Sequence, residues 1–118
     1  MISAYDLRIG NRLLKNGEEV IIDGEAIMQI QKYESGYSTY TPIPITTDVL
    51  ARAGFVQRGT SAFHDKLPIV GFTYVAETNT IMIYHPGNSL THFLHTKIHF
   101  LHQLQNLFYC IIGQEIAL

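Results

Sequence analysis

Near its end the chain carries Leu101, Leu104, Leu107, Phe108, Ile111 and Ile112, spaced i, i+3, i+6, i+7, i+10 and i+11. That spacing gathers large apolar side chains on one face of an α-helix. His102, Gln103, Gln105 and Asn106 take the remaining positions, and Gly113 supplies the left-handed stop. The pattern predicts a helix over 101–112, with Leu104, Leu107, Phe108 and Ile111 in the core. Three turns are marginal in water, so this stripe needs an apolar surface elsewhere in the chain to pack on. Of the 118 residues 47% are hydrophobic, enough for one domain with a modest core and too many for a disordered tail. Only 15% are charged, which leaves part of the surface uncharged and adhesive.

What precedes the helix reads mostly as short strands. Leu7-Arg8-Ile9 starts one, and Arg12-Leu13-Leu14 and Val20-Ile21-Ile22 flank Asn16-Gly17, the strongest short hairpin signal. Ala26 to Tyr33 alternates as a strand with Ala26, Met28 and Ile30 on one face, and Tyr37 to Thr41 follows the Ser35-Gly36 turn. Strands at this spacing predict a small twisted β subregion of SH3-like kind. Pro42-Ile43-Pro44 interrupts it and is the one candidate seam in a single domain spanning 1–118. Thr46 then caps a short helix that Gly54 ends, docking through Val49, Leu50 and Phe55. Strands are expected at 55–57, 62–64, 70–75 and 81–84. Thr91 to Phe100 has both strand and helix spacing, and its β-branched Thr91, Thr96 and Ile98 favour a strand. The fold class is therefore α+β: an N-terminal β subregion of SH3-like kind, a short capped helix, an antiparallel sheet and a C-terminal amphipathic helix packed on that sheet.

Several function classes lose support at once. A net charge of −2 offers no strong basic field for nucleic acid or an anionic membrane. The single cysteine, Cys110, forms no internal disulfide and sits in an apolar stretch without a flanking cation to activate it. No apolar run approaches the ~20 residues of a spanning helix, and the first residues lack a signal-peptide pattern, so a cytoplasmic protein is expected. No nucleophile elbow, phosphate loop, dinucleotide fingerprint or Cys-x-x-Cys pair is present, and Ser61 and Ser89 are read as turn residues. No reaction class is indicated, and no cofactor is expected.

Three segments carry a resemblance: Leu7-Arg8-Ile9-Gly10-Asn11, Pro42-Ile43-Pro44-Ile45-Thr46 with its short helix to Gly54-Phe55, and His102-Gln103-Leu104-Gln105-Asn106-Leu107. Together they resemble a family of small uncharacterised proteins of Bacteroidetes genomes and their phages or prophages. The match spans nearly the whole chain, and the histidine-rich stretch before His102 departs from the pattern. The resemblance implies a strand-then-helix ending and a bacterial or mobile-element origin, and no activity.

Candidate site residues fall into three groups. His102, at the start of the C-terminal helix, should be held neutral near pH 7 because a cation there opposes the helix dipole. With Gln105 and Asn106 it forms a polar cluster that either binds a ligand or satisfies backbone groups at the sheet–helix junction. His92, His95, His99 and His102 would make a zinc-binding stripe if 92–102 were one helix, whereas on a strand His95 and His99 stand roughly 13 Å apart. Arg8, Arg12 and Lys15 with Tyr33, Tyr37 and Tyr40 would suit single-stranded nucleic acid, by backbone attraction and base stacking. Against these stands a non-catalytic protein-interaction or structural accessory module, docking on a protein partner or forming a homodimer. The low charge and amphipathic helix favour this last reading.

Overall fold

Asn16 and Gly17 both take positive φ, 53° and 85°, as a type I′ turn demands. The expected hairpin forms around them in the computed structural model, which describes residues 4–32, 39–58, 61–66, 71–75, 77–78, 80–84 and 93–118. Strand β1 (Arg12–Lys15) runs antiparallel to β2 (Glu18–Ile21), with Arg12 opposite Ile21 and Lys15 opposite Glu18. The other edge of β1 takes β3 (Tyr40–Thr41), which gives a three-stranded sheet ordered β2-β1-β3. Leu13 and Ile22 are buried, and with Ala4, Ala26 and Ile30 they make one apolar cluster.

Two expectations for this region fail. Residues 26–32 of the expected 26–33 strand do not form one: α1 (Gly24–Lys32) stands there, and Tyr33 lies outside the described residues. Asp23 Oδ1 accepts from the Ala26 N–H at 2.9 Å, and Glu25 and Lys32 sit at the helix ends that suit their charges. The buried pair is Ala26 and Ile30, one helical turn apart, while Met28 is 71% exposed. Alternation of apolar and polar residues suggested a strand, but Ala, Met, Gln and Lys favour helix, and the aspartate cap starts one. The SH3-like reading counted this segment as a strand. Leu7-Arg8-Ile9 is not a strand either. After a 3-10 turn over Ala4–Asp6 the chain turns again, with the Asn11 N–H donating to the Arg8 carbonyl at 3.0 Å. The Arg8 N–H goes to the Asn11 side-chain oxygen at 2.6 Å, and a side-chain bond of this kind competes with a sheet ladder.

Farther along, Thr46 caps α2 (Thr47–Arg52) as expected, its hydroxyl accepting from the Val49 N–H at 3.2 Å. Val49, Leu50 and Phe55 are all buried. Gly54 ends the turn at φ +89°, and a Cβ there would meet His64 Nε2 at 3.1 Å, so glycine is needed on two counts. Strands β4 (Val56–Arg58), β5 (Ser61–Phe63), β6 (Gly71–Val75), β7 (Thr80–Tyr84) and β8 (Phe93–Ile98) pair in chain order as an antiparallel sheet. The strand reading of 91–100 thus holds for 93–98. A register shift between Met82 and Ile83 marks a bulge in the β7–β8 pairing. Ala62, Ile81 and Ile98 are buried on this sheet.

Helix α3 (Leu101–Ile112) has Phe100 at its N-cap. Phenylalanine has no oxygen to cap with, and the Gln103 side chain instead accepts the Phe100 N–H at 3.1 Å. Gly113, at φ 76°, closes the other end. Leu104 and Phe108 are buried as expected, whereas Leu107 is only partly buried and Ile111 is 49% exposed. The buried stripe follows Leu101, His102, Leu104, Gln105 and Phe108, so two residues that the periodicity left to the polar face are buried.

The chain divides into two compact units, one made of 1–43 and 100–114, the other of 44–99 and 115–118. The division falls inside Pro42-Ile43-Pro44 and again between His99 and Phe100. Helix α3 therefore belongs to the unit of the three-stranded sheet and not, as expected, to that of the sheet that follows α2. In that unit the Leu101 N–H donates to the Ile43 carbonyl at 2.8 Å, and in the other the Ile45 N–H donates to the His99 carbonyl at 3.0 Å. Mixed helices and antiparallel sheets make this an α+β fold.

Candidate functional site

A polar cluster inside the first unit joins the Asp6–Arg12 segment to α3. Asn11, His102 and Gln105 are all at least 97% buried. Gln105 accepts the Arg12 N–H at 2.8 Å through Oε1 and donates from Nε2 to the Gly10 carbonyl at 3.2 Å. At the next position of α3, Asn106 accepts from Asn11 Nδ2 at 2.8 Å and donates to the Asp6 carbonyl at 2.8 Å. Two consecutive carboxamides of α3 thus hold the Asp6–Arg12 loop, three of the four bonds going to its main chain, across more than 90 residues of sequence. Each amide satisfies groups that a turn leaves outside any ladder.

This arrangement does structural work. Amides neither ionise near neutrality nor attack carbon, and these are committed to internal partners. Gln105 and Asn106 bond backbone groups of this loop. Asn11 was not among the expected site residues. Its only sequence signal was its place in the Leu7–Asn11 segment, because a lone asparagine after a glycine reads as a turn residue.

His102 lies beside this clamp. Its ring stacks on Phe100 at 5.9 Å between centroids, with planes 7° apart, and its Nδ1 has no hydrogen-bond partner among the described residues. Burial lowers its pKa from the usual 6.5, and the Asp6 carboxylate partly opposes the shift. The direction agrees with the expected neutral ring, but the larger cause is desolvation. A base must reach a substrate proton, and a side chain this buried offers no such access. The shift carries a stability consequence of definite sign. The unfolded chain takes up the proton at 6.5, before the folded one does, so the folded state loses stability as pH falls below 6.5 towards the folded-state value. Urea midpoints measured from pH 7.5 down to pH 5 are expected to fall more steeply for the native chain than for His102→Gln. Parallel curves would remove His102 from the account.

The other candidate residues are dispersed or already engaged. Arg12 bonds Glu19 at 2.8 Å, Arg8 lies 4.3 Å over the Tyr109 ring, and Lys15 lies 5.4 Å over Tyr40. The basic groups proposed for nucleic acid thus face partners within the unit, and Tyr33 and Tyr37 fall outside the described residues. His92 is also outside them. The strand at 93–98 removes the helical spacing on which a His95–His99 metal pair depended. His99 Nδ1 lies 3.2 Å from the Thr80 hydroxyl. His64 accepts the Lys66 N–H on Nδ1, so its Nε2 carries the proton and donates to the Ala53 carbonyl at 2.9 Å. Among the described residues no group of three His, Cys, Asp or Glu is placed to hold a metal ion. Cys110 is exposed on α3, and Ser61 opens β5 instead of lying in a turn. Among the described residues, no helix is long and apolar enough to cross a membrane.

The surface carries a different feature. Val56 and Phe63 are directly opposed across the β4–β5 pair, and they are 55% and 45% exposed. With Arg58 and Asp65 they line a small open concavity. The sequence marked both as strand residues and gave no sign that they face water.

No protein-family model, no curated protein and no solved structure is significantly similar to this chain.

Proposed function

We propose that the chain is a non-catalytic protein-interaction or structural accessory module. The observation that carries this reading is the exposed Val56–Phe63 pair on an edge hairpin. Single exposed apolar residues are ordinary, whereas a large apolar pair set in a concavity with charges at its rim has the composition of a docking surface. The internal commitment of the Gln105 and Asn106 amides supports the same reading, because both side chains are engaged in holding the Asp6–Arg12 loop. A cytoplasmic setting and a bacterial or mobile-element origin belong to this proposal and rest on the lone cysteine and the three-segment resemblance.

The test is capture from a Bacteroidetes lysate treated with nuclease and chelator, using tagged native chain and tagged Phe63→Glu in parallel. A stoichiometric protein, either another chain or an untagged copy of this one, is expected on the native bait and lost on the variant. Retention that needs nucleic acid would turn the reading towards single-strand binding. Retention equal on both baits would remove the β4–β5 surface from it.

A further inference from the structure

The turn that shapes the first hairpin also sets up a reaction of its own. We infer that Asn16 is a site of spontaneous modification, deamidating through Gly17 to an aspartyl or isoaspartyl residue. Both residues are exposed, and a Cβ built on Gly17 would meet no atom within 4 Å. Neither the Asn16 carboxamide nor the Gly17 N–H has a hydrogen-bond partner among the described residues. Electrophile and nucleophile are therefore adjacent, solvated and uncommitted, and glycine puts no side chain in the way of its own nitrogen. The other described asparagines differ on each count. Asn11 is buried and gives its Nδ2 to Asn106, and the N–H that follows it, that of Arg12, is held by Gln105 at 2.8 Å. Asn106 donates to the Asp6 carbonyl, and the N–H that follows it lies inside helix α3.

The Gly17 nitrogen gives up its proton to solvent and attacks Asn16 Cγ. The N–Cγ bond forms, the Cγ–Nδ2 bond breaks, and Nδ2 leaves as ammonia with a proton from water. Water then opens the cyclic imide at either carbonyl. Opening on one side gives aspartate, which tolerates the left-handed backbone, so the turn survives. Opening on the other gives isoaspartate, which routes the main chain through Cβ and Cγ and lengthens it by a bond. A two-residue turn with φ of 53° and 85° at its successive positions has no place for that bond. The Lys15–Glu18 register and the bond from the Asn16 N–H to the Thr39 carbonyl at 3.2 Å both depend on this turn. The damage therefore reaches both neighbours of β1, the strand that places Leu13 in the core.

The purified full-length chain, held for days in mildly alkaline buffer and then mapped by peptide mass spectrometry, tests this. Peptides bearing residue 16 are expected to gain the mass difference between a hydroxyl and an amino group several times faster than those bearing Asn11 or Asn106. Isoaspartate should exceed aspartate among the products, and the converted chains should melt at a lower temperature than fresh ones. Asn16→Gly keeps a residue suited to positive φ and has no amide to lose, so it should neither convert nor lose stability on the same storage. An Asn16 that stays intact in the folded chain while the urea-unfolded chain converts would overturn the site, because the turn would then be holding the reacting atoms apart. Isoaspartyl chains that melt like fresh ones would overturn the effect on the hairpin.

Discussion

Gln105→Leu is expected to lower unfolding free energy by about 2–4 kcal/mol, although leucine is the better helix former and fits the apolar stripe. The native amide accepts the Arg12 N–H and donates to the Gly10 carbonyl, and the side chain is 98% buried. Leucine satisfies neither group. An orphaned main-chain donor or acceptor costs roughly 1–3 kcal/mol, and the partial exposure of this loop keeps the sum below the upper limit for two. Urea unfolding followed by fluorescence or circular dichroism would read the loss. Native-state hydrogen exchange would locate it, because the Arg12 amide should lose protection before its neighbours in β1. A variant as stable as the native chain, with Arg12 still protected, would show that the carboxamide does not hold this loop.

Phe108→Ala should cost about 3–5 kcal/mol, the range for removing a buried aromatic side chain without collapse of the cavity. Phe108 is 1% exposed. The same truncation at Ile111, which is 49% exposed, is expected to stay within about 0.5 kcal/mol, and Leu107→Ala to fall between the two. Periodicity alone ranked these three positions together. Denaturant midpoints at constant m-value separate the cases, since the slope reports whether the unfolded surface has changed. Equal losses at Phe108 and Ile111 would mean that α3 packs through the broad stripe of the sequence and not the narrower one of the structure.

Much of the secondary structure was legible because its signals are short-range. Asn16-Gly17 demands positive φ at two successive residues, and the Thr46 hydroxyl reaches an N–H three residues on. Gly113 takes the left-handed conformation directly after the last helical turn. Each of these depends on atoms within a few residues, so no distant partner can reverse it. The strands of the five-stranded sheet were legible for a similar reason, as β-branched and aromatic runs punctuated by turns. Residues 26–33 show the limit of such signals. Their apolar positions fit a period of 2 as well as 3.6, and what decided was the Asp23 cap with burial of Ala26 and Ile30 against Leu13 and Ile22.

By itself, then, the sequence determined the Asn16-Gly17 turn, the Thr46, Gly54 and Gly113 helix ends, the α+β class and the absence of a recognisable catalytic motif. Tertiary structure alone decided which polar residues are buried, which apolar ones face water, and which unit receives α3. A glutamine on a helix is an ordinary surface residue until a loop more than 90 residues away presents one N–H and one carbonyl at the right separation. The exposure of Val56 and Phe63 has the same origin, because a strand pattern specifies two faces and an edge without saying which of them the rest of the chain will cover.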